Sequence, residues 1–162
     1  MERTSKVEYI TLGWDSLKKE LWNAPKNAGW EKPRGGLWAC KYTPEEDFVS
    51  EWHRFCVCEG MGANVDVGVV FNLTDNARVY TIDSQKDLAR LMEKYEYTGE
   101  LKSYRPLLDF EKLAEDYDAI EMTDNGQSET RFGEYSLYGW DFECMLILNF
   151  DVITNKRSFS LE

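Results

Sequence analysis

Apolar residues in this chain are gathered in short runs parted by turn residues, and none approaches the ~20 residues of a membrane span. The runs are rich in β-branched and aromatic residues, which suit a half-buried pleated surface. Val7 to Leu12 reads as a strand stopped by Gly13, and Leu37 to Cys40 as a short buried strand. Val65 to Leu73 and Arg78 to Ile82 read as two strands parted by Thr74-Asp75-Asn76. Tyr117 to Met122 follows, then Phe142 to Leu148, the most apolar run, continued by Asp151-Val152-Ile153 after a turn at Asn149.

Helix starts lie between these runs. Thr43-Pro44-Glu45-Glu46 offers a hydroxyl at the N-cap, Pro at N1 and Glu at N3. It predicts a helix with Phe48, Val49, Trp52, Phe55 and Cys56 inward, ended by Gly60 and Gly62. Ser84-Gln85-Lys86-Asp87 opens another to about Tyr95, with Leu88, Leu91 and Met92 inward. Asp109 caps a short helix carrying Phe110, Leu113 and Ala114. Asp15 to Trp22 predicts a helical turn or two. Asn23 to Gly36, Tyr97 to Arg105 and Thr123 to Gly133 read as loops, the last exposed and mobile. Short helices among strands, without strict βαβ repeats, predict an α+β fold in one domain over residues 1–162.

Charge narrows the partners. Against 19 Lys and Arg stand 30 Asp and Glu, a net charge of −11. A nucleic-acid backbone or an anionic membrane needs a basic face, so neither is expected as main partner. The opening Met-Glu-Arg-Thr-Ser-Lys lacks the apolar stretch of a secretory signal, and the expectation is a soluble cytoplasmic protein.

Common catalytic signatures are missing: no P-loop, no G-x-G-x-x-G after a strand, no H-E-x-x-H, no G-x-S-x-G and no EF-hand loop. A single histidine, His53, leaves no material for a His-based triad or metal site, and no metal is expected. Cys56 and Cys58 form C-x-C rather than the C-x₂-C of structural zinc sites, so Cys40, Cys56, Cys58 and Cys144 read as free thiols. Most acids fit solvated helix ends. Glu143 differs, because it lies inside the most apolar run. With period two it shares a face with Met145 and Ile147, while Phe142, Cys144, Leu146 and Leu148 take the other. A carboxylate among such neighbours sits either at a strand end facing water or in a cleft, where it would have a task.

The order of these features resembles the ADP-ribosyltransferase-like proteins, which split NAD between nicotinamide and ribose. The opening strand Tyr9-Ile10-Thr11-Leu12-Gly13 is similar to the family's first strand. So is Gly35-Gly36-Leu37-Trp38-Ala39-Cys40 to its block of glycine, aromatic and small polar residue before a helix. Tyr117 to Glu121, a loop, then Glu143 to Asn149 and Val152-Ile153 resemble its last strands, in which a catalytic Glu begins an apolar strand.

The resemblance implies mixed and antiparallel strands in a split sheet with short flanking helices, and NAD as substrate with a protein as acceptor. It implies Glu143 and Asp141 as catalytic acids, and Thr11, Gly13, Trp38, Cys40 and Arg34 as residues holding NAD. Trp38, with Tyr42, Tyr138 and Trp140 as further rings, would sandwich the nicotinamide. Lys32, Arg34 and Lys41 would meet the pyrophosphate. A fixed carboxylate would stabilise the oxocarbenium-like ribose as the bond to nicotinamide breaks. The chain departs from the family in lacking an Arg or His beside Gly13, in Cys40 for Ser or Thr, and in Asp-Phe-Glu at Asp141 to Glu143, marks of a degenerate member. Two other readings stand beside it: a non-catalytic acidic module for a basic partner, anchored by some of the 6 Trp, and a hydrolase with Asp141 and Glu143 as an acid pair on one face, ~7 Å apart.

Overall fold

The computed structural model describes residues 6–161; the polar stretch before Lys6 lies outside the described residues. Seven strands form one sheet: β1 (Tyr9–Leu12), β2 (Leu37–Lys41), β3 (Val67–Leu73), β4 (Val79–Ile82), β5 (Ala119–Met122), β6 (Cys144–Ile147) and β7 (Ile153–Ser160). Their order is β4-β5-β6-β2-β1-β3-β7. Among the described residues only β4 and β5 pair in parallel; every other neighbour is antiparallel. Four helices accompany the sheet: α1 (Glu51–Cys58), α2 (Gln85–Tyr95), α3 (Phe110–Asp116) and α4 (Asp124–Thr130). The fold is α+β, as expected, but the sheet is continuous: β2 bonds to β6 on one side and β1 on the other, which joins the two halves that a split sheet would separate. Among the described residues no helix is long and apolar enough to cross a membrane.

Strand alternation sends side chains into two cores. On one face Cys40, Ile120, Met122, Cys144, Leu146 and Leu148 meet Leu88, Leu91 and Met92 of α2 and Phe110 and Leu113 of α3. On the other, Ala39, Met145 and Ile147 join Tyr9, Phe71, Leu17 and Val152. The inward residues foreseen for α2 and α3 and the two faces of β6 are those observed. Ser84 and Asp109 cap as expected, accepting from the amides of Asp87 and Lys112.

Four local expectations are corrected. The helix foreseen from Thr43 starts at Glu51: Thr43 Oγ1 donates to the Phe48 carbonyl and its amide to that of Val49, closing a loop, and Ser50 becomes the cap. Asp15 to Trp22 yields only a 3-10 turn at Lys19–Leu21. The supposed loop Thr123 to Gly133 holds α4; Thr123 Oγ1 accepts from the Gly126 amide, and Gly126 lies so close to the Ile82 carbonyl that a Cβ would not fit. Asp151 and Val152, expected to continue the strand after Asn149, lie in a 3-10 turn (Phe150–Val152); the strand that starts at Ile153 is the edge strand β7, whose Lys156 and Arg157 face water and hide it from an apolar pattern.

Asp118 ties three strands together. It is 4% exposed. Its carboxylate accepts from the Arg78 amide at 2.8 Å, from Arg78 Nη2 at 3.1 Å and from Asn149 Nδ2 at 3.0 Å, and its carbonyl accepts from the Leu148 and Asn149 amides. Burial pushes the carboxyl up, but the hydrogen bonds and charge of Arg78 outweigh it and hold it below the usual carboxylate range. Asp118→Asn is expected to lower stability in urea denaturation by about 2–3 kcal/mol at neutral pH. A depressed folded pKa contributes stability above the unfolded value and loses it as pH falls through the folded one. The gap between wild type and variant therefore closes below about pH 4.

Candidate functional site

A cavity of about 340 Å³ opens on the helix-covered face of the sheet. Its floor is made by Ile10 of β1, Trp38 and Cys40 of β2 and Cys144 of β6; Trp52 of α1 and the segment Gly139 to Phe142 form its walls, and Trp14 and Lys32 also line it. Packing holds the rings. Trp140, 2% exposed, meets Trp38 edge-on at 4.7 Å and donates its indole N–H to the Glu31 carbonyl at 2.9 Å. Trp52 stacks on Phe55 at 6.0 Å and leans over Phe142 at 5.8 Å. The Lys32 ammonium stands 5.8 Å from the Trp38 ring centre, within cation–π range.

The sheet is open where the cavity meets it. β1 and β2 pair at Tyr9↔Lys41 and Ile10↔Cys40, and the ladder stops there. The Tyr42 amide donates to the Glu8 carbonyl. Alternation then turns the peptide edges of Leu12 and Trp38 toward each other, yet this pair does not close. Thr11 Oγ1 donates to the Trp38 carbonyl at 3.0 Å instead. Both residues line the cavity, so main-chain polar edges border a largely apolar space. Gly36 makes room beside it: φ is +69°, and a Cβ would lie 3.0 Å from the Ile147 carbonyl.

The residues foreseen for the site separate into two groups. Thr11, Trp38, Cys40 and Asp141 line the cavity, with Trp140. Gly13 is outside it, and its amide already donates to the Val67 carbonyl at 2.8 Å, so that group is not free for a carboxamide. Arg34 is exposed and pairs through its backbone with Lys26, away from the cavity. Tyr42 packs on Phe159, and Tyr138 on the exposed Phe132. The supposed basic cluster is dispersed, and of its three members only Lys32 reaches the cavity.

Glu143 lies on the opposite face. Continuing the register of Ala39↔Met145 sets it across from Lys41, and Lys41 Nζ is 3.7 Å from Glu143 and 3.6 Å from Glu121. The bend at Phe142 and Glu143 breaks the period-two pattern, so Asp141 and Glu143 do not share a face. Asp141 faces the cavity, 3.6 Å from Arg131. Burial is the main cause that pushes the Glu143 carboxyl up, opposed by Lys41 and reinforced by Asp124 and Glu121. Among the described residues no three His, Cys, Asp or Glu side chains are grouped to hold a metal ion. His53 accepts the Val49 amide on Nδ1 at 3.2 Å, a structural task.

Sequence reasoning passed over Trp14, Trp52 and Phe142 as site residues. Trp52 was foreseen inward on its helix, which is also what a core residue shows; Trp14, following the strand-ending glycine, gave no separate signal. No family model, curated protein or solved structure matches the chain.

An acid whose folded pKa is raised costs stability once pH passes its unfolded value. Glu143→Gln is therefore expected to raise thermal stability slightly at pH 7, by less than about 1 kcal/mol. The gain should vanish by about pH 4, where the wild-type carboxyl is itself protonated. Melting curves across pH 4–8 check this; destabilisation at pH 7 would show that the Lys41 pair outweighs the cost of burial.

Proposed function

We propose that the tryptophan-lined cavity binds the nicotinamide–ribose end of NAD, in the manner of the ADP-ribosyltransferase-like proteins, with Asp141 as the carboxylate facing the ribose. The observation that carries this reading is the meeting, in one cavity, of several indoles, an unclosed strand ladder, one carboxylate and one ammonium. A flat heteroaromatic ring gains contact area between indole faces. With the Trp38 carbonyl taken by Thr11, the Leu12 carbonyl and the Trp38 N–H suit the donor and acceptor of a carboxamide. The volume is near the lower end of the ~300–1,000 Å³ typical of ligand pockets, which fits one ring and its sugar with the rest of a dinucleotide outside.

Each group then has a role in cleavage. As the glycosidic bond lengthens, positive charge grows on the anomeric carbon, and a fixed carboxylate lowers that state more than the ground state. Asp141 is the acid on the correct side of the sheet, and Lys32 supplies positive charge for the phosphates. The resemblance assigns the carboxylate to Glu143; its position across the sheet favours Asp141. That same position favours a second reading, a module that binds the ring without cleaving it.

One experiment separates the readings: NAD titration followed by indole fluorescence, with nicotinamide release measured on the same samples. Trp38→Ala is expected to weaken NAD binding about tenfold, since it removes a stacking face. Asp141→Asn should keep binding and lower release by about 10²–10³. Glu143→Gln should release nicotinamide within about twofold of wild type. Binding without release supports the non-catalytic module. Absence of NAD binding, or release lost in Glu143→Gln and kept in Asp141→Asn, overturns the proposal.

A further inference from the structure

We propose that Cys40 and Cys144 form a dithiol site in the cavity floor that closes to a reversible cross-strand disulfide on oxidation by hydrogen peroxide. The register places the pair. β2 and β6 run antiparallel through Leu37↔Ile147, Trp38↔Leu146 and Ala39↔Met145, and the next step sets Cys40 opposite Cys144. Side-chain contacts keep the two segments together there: Cys40 Sγ reaches the carbonyl of Glu143, the residue before Cys144, at 3.7 Å, and Lys41 Nζ lies 3.7 Å from the Glu143 carboxylate. The peptide edges of Cys40 face β1, with which Ile10↔Cys40 is paired, so Cys40 and Cys144 are a non-hydrogen-bonded pair. Such pairs have Cα atoms ~4.5 Å apart, inside the ~4.4–6.8 Å span of disulfides. Both side chains point to the same face, both are buried, and both line the cavity.

The reaction balances. A Cys40 thiolate attacks the O–O bond of the peroxide, giving a sulfenic acid and hydroxide. Cys144 sulfur then displaces the second oxygen. Two thiols and one peroxide become one disulfide and two waters, and a thiol reductant reverses it. Burial pushes the Cys40 thiol up to about 12 and raises Cys144 as well, so both are protonated at neutral pH. The site is therefore slow at pH 7 and accelerates with alkali.

Oxidation also acts on the cavity wall. In the thiol form Cys40 Sγ donates to the Glu143 carbonyl at 3.7 Å, pinning the segment that presents Asp141 and Phe142. A disulfide has no proton to give, so this tie is lost. The inference does not depend on NAD being the ligand.

The test uses the full chain carrying Cys58→Ser, which removes the exposed thiol and leaves Cys40, Cys56 and Cys144. Treatment with hydrogen peroxide should reduce the free thiols counted in denaturant from the remaining three to one. It should lower the mass by two hydrogens and link the peptides that carry Cys40 and Cys144. The rate should rise about tenfold per pH unit between pH 7 and 9, as the thiolate fraction does. Amide exchange in the peptide spanning Trp140 to Glu143 should quicken about 3–10-fold on oxidation, the worth of one lost hydrogen bond. Cys40→Ala and Cys144→Ala should each abolish the link, while the mapped link in Cys58→Ser stands whether or not these variants fold. Linkage through Cys56, sulfinic or sulfonic acid at unlinked Cys40 and Cys144, or three thiols still reduced at pH 9 would overturn the proposal.

Discussion

The antiparallel pairing of β2 with β6 decides which side of the sheet every nearby group can reach. Side chains alternate along both strands, so one register places Trp38, Cys40 and Cys144 over the cavity and Lys41, Glu121 and Glu143 on the reverse. A slip of β6 by one residue would turn Cys144 away from the cavity and carry its neighbours to the other face. Met145 and Ile147, 1% and 0% exposed, hold the register, because a slip would carry them out of the core they share with Ala39 and Phe71. The chemistry available at the cavity is thus set by core packing on the far side of the same strands.

Much of this was legible residue by residue. The faces of β6 follow from strict alternation in Cys144-Met145-Leu146-Ile147, and the inner stripe of α2 from Leu88, Leu91 and Met92. What misled was local chemistry with two uses. Thr43 carries a helix-capping hydroxyl, but that hydroxyl donates to the Phe48 carbonyl within a loop, and the helix waits for Ser50. Gly126 signals a loop, yet it allows α4 to press on the backbone of β4. The polar β7 has no apolar alternation to read, since its pairing with β3 is a main-chain matter. At the site, Trp38 and Cys40 could be placed from strand alternation. Asp141 and Glu143 could not be ordered, because the bend between them is a property of the folded segment rather than of residue type.

The two acids illustrate how environment assigns roles to like groups. Asp118 is almost fully enclosed yet held in its ionised form, because Arg78 and Asn149 satisfy it. Glu143 is less enclosed but shares one ammonium with Glu121, and its charge is held at a cost. A raised carboxyl pKa often marks a catalytic acid. Here it follows first from burial, with Asp124 and Glu121 adding to it against Lys41, on a face that the cavity does not reach, so the shift itself does not make Glu143 a cavity acid.

The unclosed ladder between Leu12 and Trp38 bears most directly on what the cavity is for. Strands that pair at Ile10 and Cys40 gain by continuing, since each further closure satisfies peptide groups at little additional entropic cost. The chain instead diverts the Thr11 hydroxyl to the Trp38 carbonyl and keeps Trp14 and Trp52 around a space the sheet could have closed. A packed core would fill that space with side chains. Leaving polar peptide edges and indole faces together at its border makes sense for a guest that offers the same pair of features, a flat ring with a donor and an acceptor on its rim.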